Sequence, residues 1–176
     1  MTAGNRKILP SDDWATITTA KVTVLLSTSD QPYSITDSFA FETPVCLIYS
    51  EKIKLQNSLK LPGKSIGLFC NTLEIASGVS IDVSGTSGKT GDSSANGDGG
   101  KGGDGTGGGT VWLFVQNGTE KMLRDISIKA HGGDGGSGGD AGATGKTGGG
   151  GGKGGNGGNL TLKIYERAVT DYGRLY

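Results

Sequence analysis

Between Gly132 and Gly158, one phase of every third position is glycine without a break. Gly133, Gly136, Gly139, Gly142, Gly145, Gly148, Gly151, Gly154 and Gly157 keep that phase. The positions between them hold Asp134, Ser137, Asp140, Ala141, Ala143, Thr144, Lys146, Thr147, Lys153, Asn156 or more glycine. A period of three belongs neither to an α-helix, with a period of about 3.6, nor to a strand, with a period of about 2. It fits an extended left-handed helix with about three residues per turn and ~3.1 Å rise. Collagen uses that helix with abundant proline, and this stretch contains none. The constraint is architectural: one side of the segment must carry no side chain.

Of the 35 glycines, 29 lie in residues 85–109 and 131–159, so the remaining sequence has an ordinary aliphatic content, enough for a modest core. At 176 residues the chain reads as one domain with at most a small appendage. Lys plus Arg and Asp plus Glu are both 17, giving zero net charge. No basic patch stands out, which argues against nucleic acid and anionic membrane as partners. No apolar run approaches the ~18–20 residues of a membrane span. The first ten residues lack the apolar core of a signal peptide. Cys46 and Cys70 sit in apolar, strand-like runs and read as buried thiols, with a cross-strand disulfide as the alternative.

Along the chain, Pro10–Trp14 reads as a turn, Lys21–Ser27 as a strand and Thr28–Tyr33 as a turn or loop. Ser38–Glu42 and Val45–Tyr49 read as strands, and nothing in the first hundred residues has helical periodicity. From Glu51 onward, short alternating runs follow one another: Lys52–Leu55, Ser58–Leu61, Ser65–Cys70, Thr72–Ile75 and Val79–Val83. Asn57, Pro62-Gly63, Asn71 and Ser77-Gly78 separate them. Such spacing leaves little room for βαβ crossovers. It predicts an all-β fold: a short parallel β-solenoid, β-helix-like, over residues 51–176 with a β-rich N-terminal cap over residues 1–50.

Two glycine-rich excursions interrupt that pattern at equivalent places. Val79–Gly85 runs into the first and Asp125–Gly132 into the second; Gly109–Val115 and Gly158–Tyr165 emerge from them. Each excursion must leave and return as a hairpin. The first break in period falls at Asp92–Asn96, the second in the run Gly148–Gly152. Arms of about 12–14 residues would project on the order of 40 Å. Four such arms are expected to pack as one bundle, with glycine faces inward and Asp98, Lys101, Asp104, Asp134, Asp140, Lys146 and Lys153 outside. The terminal stretch Tyr165–Tyr176 reads as the start of another rung or as a cap.

Most motifs that suggest chemistry fail on spacing. Gly63-Lys-Ser65, Gly88-Lys-Thr90 and Gly145-Lys-Thr147 lack the earlier glycine and the following helix of a phosphate-binding loop. Gly99–Thr106 and Gly135–Gly142 resemble a calcium nonapeptide but lack its apolar anchor. His131 is the single histidine, so no multi-histidine metal cluster exists within one chain. Asp82 and Asp125 are candidates for a carboxylate pair, but strand alternation explains both as solvent-facing. No nucleophile–base set appears, so neither enzyme activity nor a cofactor is expected. Asn117-Gly-Thr119 and Asn159-Leu-Thr161 fit the N-glycosylation pattern and favour an extracellular or cell-surface setting.

The Gly-Gly-X arms over Gly97–Gly109 and His131–Asn159 resemble polyglycine-II bundles. That device is found in springtail antifreeze proteins, a phage tail-fibre tip adhesin and the N-terminal domain of Obg GTPases. The stretch Ile126–Gly139 looks like the start of an Obg glycine arm, although no Arg-Arg-Glu-Lys-type segment or GTPase domain follows. The resemblance covers about 55 residues and implies a fold device rather than one activity. By similarity to the adhesin type, the loops at the glycine tips would contact a receptor. Here those candidates are Asp92, Ser93, Ser94, Asn96, Lys146 and Thr147. The expectation is a non-enzymatic structural or recognition module, a surface, toxin or fibre component that binds a protein or glycan surface through the tips. Ice binding and self-association as the scaffold domain of a larger protein are the alternatives.

Overall fold

The computed structural model describes residues 14–27, 32–36 and 39–165. The expected turn at Pro10–Trp14 and the terminal rung or cap lie almost wholly outside these residues. Ten strands and one helix follow in chain order. They are β1 (Trp14–Thr18), β2 (Val22–Ser27), β3 (Tyr33–Ile35), β4 (Val45–Leu55), β5 (Leu59–Lys60), β6 (Ser65–Ile75), β7 (Ser80–Asp82), β8 (Val111–Val115), α1 (Glu120–Asp125), β9 (Ser127–Lys129) and β10 (Leu160–Ile164).

The strands corroborate β structure and correct the expected all-β parallel solenoid. They form a mostly parallel seven-stranded sheet in the order β1-β2-β4-β6-β8-β10, with β3 beside β4, and a separate three-stranded parallel sheet, β5-β7-β9. β1 pairs antiparallel with β2, and a six-residue helix follows β8, so the arrangement is mixed and α/β-like. β2 continues the same sheet as β4 and the later strands. Two boundaries were misplaced for one physical reason. β4 and β6 are single strands of 11 residues, each read in the sequence as two. Their inward positions switch from even (Cys46, Ile48, Ser50; Ile66, Leu68, Cys70) to odd (Ile53, Leu55; Leu73, Ile75) at Glu51-Lys52 and Asn71-Thr72. A one-residue change of phase bends a strand without ending it. β3 begins at Tyr33, the last residue of the stretch read as a turn or loop, and Phe39–Glu42 is not a strand.

The core lies between the two sheets. Ile35, Cys46, Ile48, Ile53, Ile66, Leu68, Ile81, Val83, Val111 and Leu113 are fully buried there. Because the strands are in parallel register, like side chains stack on like: Ile66 on Val111 on Leu160, Leu68 on Leu113 on Leu162. On the opposite face of the large sheet Tyr49, Phe69 and Phe114 form a ladder of near-parallel rings, 4.5 and 5.0 Å apart between centroids. Lys163 places its ammonium 5.6 Å from the last ring. Tight turns follow β5 and β6, where Gly63 (φ 66°) and Gly78 (φ 75°) adopt the left-handed conformation that glycine tolerates.

Candidate functional site

Four glycine-rich arms leave the sheets, two from β7 to β8 and two from β9 to β10. They span residues 85–94, 97–109, 131–142 and 147–158, and regular backbone hydrogen bonds of 2.7–3.2 Å join them. The first arm donates to the third from Gly85, Gly88, Gly91 and Ser94; the second donates to the fourth from Gly99, Gly102, Gly105 and Gly108. Both pairings are parallel. The antiparallel pairings interleave with them: Gly100, Gly103, Thr106 and Gly109 donate back to the first arm or β7 side, and Gly133, Gly136, Gly139 and Gly142 donate to the second. Gly149, Gly152, Gly155 and Gly158 close the set on the third arm. Each ladder uses every third amide, which is the physical meaning of the sequence period.

Glycine is compulsory on the inner rows. A Cβ on Gly88, Gly102, Gly136 or Gly152 would lie 1.9–2.1 Å from a carbonyl oxygen of a neighbouring arm. The two outermost arms differ. The first fills its exposed positions with Thr86, Ser87, Lys89, Thr90, Asp92 and Ser93. The fourth exposes Gly148, Gly150, Gly151, Gly154 and Gly157, where an added Cβ would meet nothing closer than 3.5 Å.

At the far end the two reversals meet. In the first, the Ser94 hydroxyl accepts from the Gly97 N–H at 2.8 Å. In the second, the Lys146 N–H donates to the Ala143 carbonyl at 3.2 Å and Gly145 has φ 81°. The second reversal is therefore at residues 143–146, ahead of the expected run Gly148–Gly152, because a left-handed glycine turns the chain where the Gly-Gly-X pattern lapses. The two turns are bonded to each other. Ser93 accepts from the Asp140 N–H at 3.1 Å, Asp98 accepts from the Thr147 N–H at 2.9 Å, and the Gly142 N–H donates to the Gly97 carbonyl at 3.2 Å. Asp92, Ser93, Asn96, Lys146 and Thr147 are exposed around this junction and Ser94 is half-buried within it. All six expected tip residues thus belong to one end of the bundle. Asp98, Asp140, Ala143 and Thr144 join them. Asp98 had a legible signal: it stands six residues before Asp104, whose carboxylate accepts from the Lys153 N–H in the same way at 2.8 Å.

The other candidate residues stay apart. Asp82 accepts from the Ser84 N–H at 3.0 Å, and its hydrogen bonds with Ser84 hold the carboxyl below the usual range, helped by Lys129 and Lys60. Asp125 pairs instead with Lys121 on α1. His131 is exposed at the base of the third arm, its N–H donating to the Ser84 hydroxyl. Gly63-Lys-Ser65 forms a turn whose Lys64 ammonium donates to the Phe41 carbonyl. Cys46 and Cys70 are both free and buried, and burial pushes each thiol up to about 12. Among the described residues no group of three His, Cys, Asp or Glu side chains could hold a metal ion. No described helix is long and apolar enough to cross a membrane. No family model, curated protein or solved structure matches the chain.

Proposed function

We propose that the chain is a non-enzymatic recognition module in which the four-arm bundle is a stalk and its tip is the contact surface. The observation that carries this reading is the bonding of one turn to the other through Ser93–Asp140, Asp98–Thr147 and Gly142–Gly97. Residues far apart in sequence are thereby fixed as one polar surface of mixed charge, Asp92 and Asp98 beside Lys146. Loops held by a rigid scaffold lose little entropy on binding a partner. The partner is a protein or glycan surface outside or on the cell, and the polyglycine-II resemblance supports a fibre-like or adhesin-like setting.

The test screens the full chain against a glycan array and a panel of cell-surface proteins. The double variant Asp92→Lys, Lys146→Glu is then compared with the original on every hit. These are exposed charges, so stability should change by no more than about 0.5 kcal/mol. Binding should fall at least about tenfold, equivalent to ~1.4 kcal/mol. Unchanged binding would sink the tip reading.

A second reading, ice binding, draws on the bare outer face of the fourth arm, where Gly148, Gly151, Gly154 and Gly157 form a flat small-residue row. It requires thermal hysteresis from the purified protein, and ordinary freezing ends it. The same row leaves room for close approach by another copy, which sedimentation at increasing concentration would reveal.

A further inference from the structure

Strand β1 turns two threonines toward the core. Cross-strand pairing sets Thr16 opposite Leu25 and Thr18 opposite Thr23. Leu25 and Thr23 in turn sit opposite Ile48 and Cys46, both fully buried. Paired residues share a face of a sheet, so Thr16 and Thr18 lie on the core-facing side. Ile17 points the other way and is 47% exposed.

Across from these hydroxyls run three aromatic residues. Tyr33 and Phe39 meet edge to face, with centroids 6.4 Å apart at 81°, and Phe39 and Phe41 are 5.8 Å apart. One side of Phe41 is taken by the Lys64 ammonium, 5.0 Å from the ring centre. Between the two walls is a cleft of about 480 Å³, bordered by Thr16, Thr18, Ser34, Tyr33, Phe39 and Glu42. Thr23 is already satisfied, accepting from the Thr43 hydroxyl at 2.9 Å. The Thr16 hydroxyl is enclosed and has no hydrogen-bond partner. A buried hydroxyl is nearly always bonded, so an orphan one on a residue that borders a cleft gains a partner when the side chain rotates to a neighbouring rotamer and meets a polar atom there.

We propose that this cleft binds a single neutral hydroxylated ring of the pyranose type. The chemistry of the walls selects it. Axial C–H groups of such a ring pack on aromatic faces while its hydroxyls pair with threonine hydroxyls and a carboxylate. Glu42 is the one charged side chain among the described residues that border the cleft, so the lining itself offers phosphate, sulfate and carboxylate ligands no countercharge. A hydrocarbon chain would leave Thr16 without a partner. The volume lies within the usual range of small-ligand sites, roughly 300–1,000 Å³. The cleft is separate from the stalk tip and does not depend on the tip reading.

The experiment uses the full chain and a panel of methyl pyranosides (glucoside, galactoside, mannoside and N-acetylglucosaminide), with tetramethylammonium as a cationic control. Saturation-transfer and amide-shift NMR follow binding up to about 10 mM, the range in which single sugars bind weakly. At least one pyranoside should saturate, moving the amides of Thr16, Thr18, Phe39 and Glu42 and leaving those of Asp92–Asn96 and Ala143–Thr147 still. Thr16→Val keeps the side-chain shape and deletes the orphan hydroxyl. It should weaken that pyranoside at least about tenfold and at the same time raise Tm, because an unsatisfied buried group has been removed. A purely structural threonine would not give this opposition. The proposal is overturned if no pyranoside binds, if Thr16→Val binds as well as the original, or if tetramethylammonium binds more tightly than every sugar. Sugar binding that disappears in Asp92→Lys, Lys146→Glu and survives Thr16→Val overturns it too, and assigns the sugar to the tip.

Discussion

Gly136 and Gly151 are both glycines of the same unbroken phase, yet they do different things. A Cβ on Gly136 would sit 1.9 Å from the Lys89 carbonyl oxygen, backbone against backbone. One on Gly151 would meet the Gly136 carbonyl at 3.6 Å, an ordinary contact. Gly136→Ala should therefore cost at least about 1–3 kcal/mol, as overpacking does. Gly151→Ala should be neutral or stabilise by roughly 0.4–1 kcal/mol through the unfolded chain. Urea unfolding of the two variants measures the contrast, and equal losses would refute this account of the bundle. The period itself was readable because a missing side chain recurs in the sequence. Which glycines face a neighbour was not, since in the fourth arm the compulsory row (Gly149, Gly152, Gly155, Gly158) and the bare row (Gly148, Gly151, Gly154, Gly157) are written alike.

At the scale of elements, alternation located most strands but not where they join. The bend at Glu51-Lys52 shifts the inward positions by one, and a shift of phase looks like an ending until neighbouring strands show that β4 and β6 run on together in register. The facing of β1 is not legible because Ala15–Thr19 alternates acceptably either way, and only pairing with β2 decides which side is in. Helix α1 is not legible in the sequence. Six residues are too few to show a period, and it is set by its cap: the Thr119 hydroxyl accepts from the Met122 N–H at 3.1 Å, and Met122 is buried beneath it. Thr119→Ala should lower stability by about 1 kcal/mol. Faster amide exchange at Met122 would localise the loss, whereas an unchanged thermal midpoint would show the cap to be dispensable. At the tips, the five-glycine run Gly148–Gly152 points to a reversal that comes too late; the better signal is Ala143-Thr144-Gly145, where side chains crowd two of three positions.

For the whole molecule, acid–base behaviour follows from the core. Cys46 and Cys70 have thiols pushed from an ordinary 9.0 to about 12 by burial. Below pH 9 both folded and unfolded forms keep their protons and nothing changes. Between pH 9 and about 12 the unfolded chain loses thiol protons that the folded chain retains, so stability falls as pH rises. The urea midpoint should hold up to about pH 9 and drop from there to pH 10.5, and the drop should be reduced in Cys46→Ala, Cys70→Ala. In the folded protein at pH 8 neither thiol should react with a maleimide. Rapid labelling without denaturant would contradict the burial.

The arms also make a clock of the backbone. Amides that donate between arms should exchange with deuterated solvent slowly and those that face water quickly, so protection should recur with a period of three. In the first arm the amides that donate to backbone carbonyls are Gly85, Gly88, Gly91 and Ser94, and in the fourth Gly149, Gly152, Gly155 and Gly158; Thr86, Thr147 and Lys153 donate to side chains of the second arm and add slow amides to that rhythm. The second arm donates to two partners from adjacent residues, Gly99 and Gly100, Gly102 and Gly103, Gly105 and Thr106, Gly108 and Gly109. There the rhythm should be two slow amides and one fast, with Lys101, Asp104 and Gly107 in the open beat. A segment whose composition suggests a loose tether would, amide by amide, keep strict time.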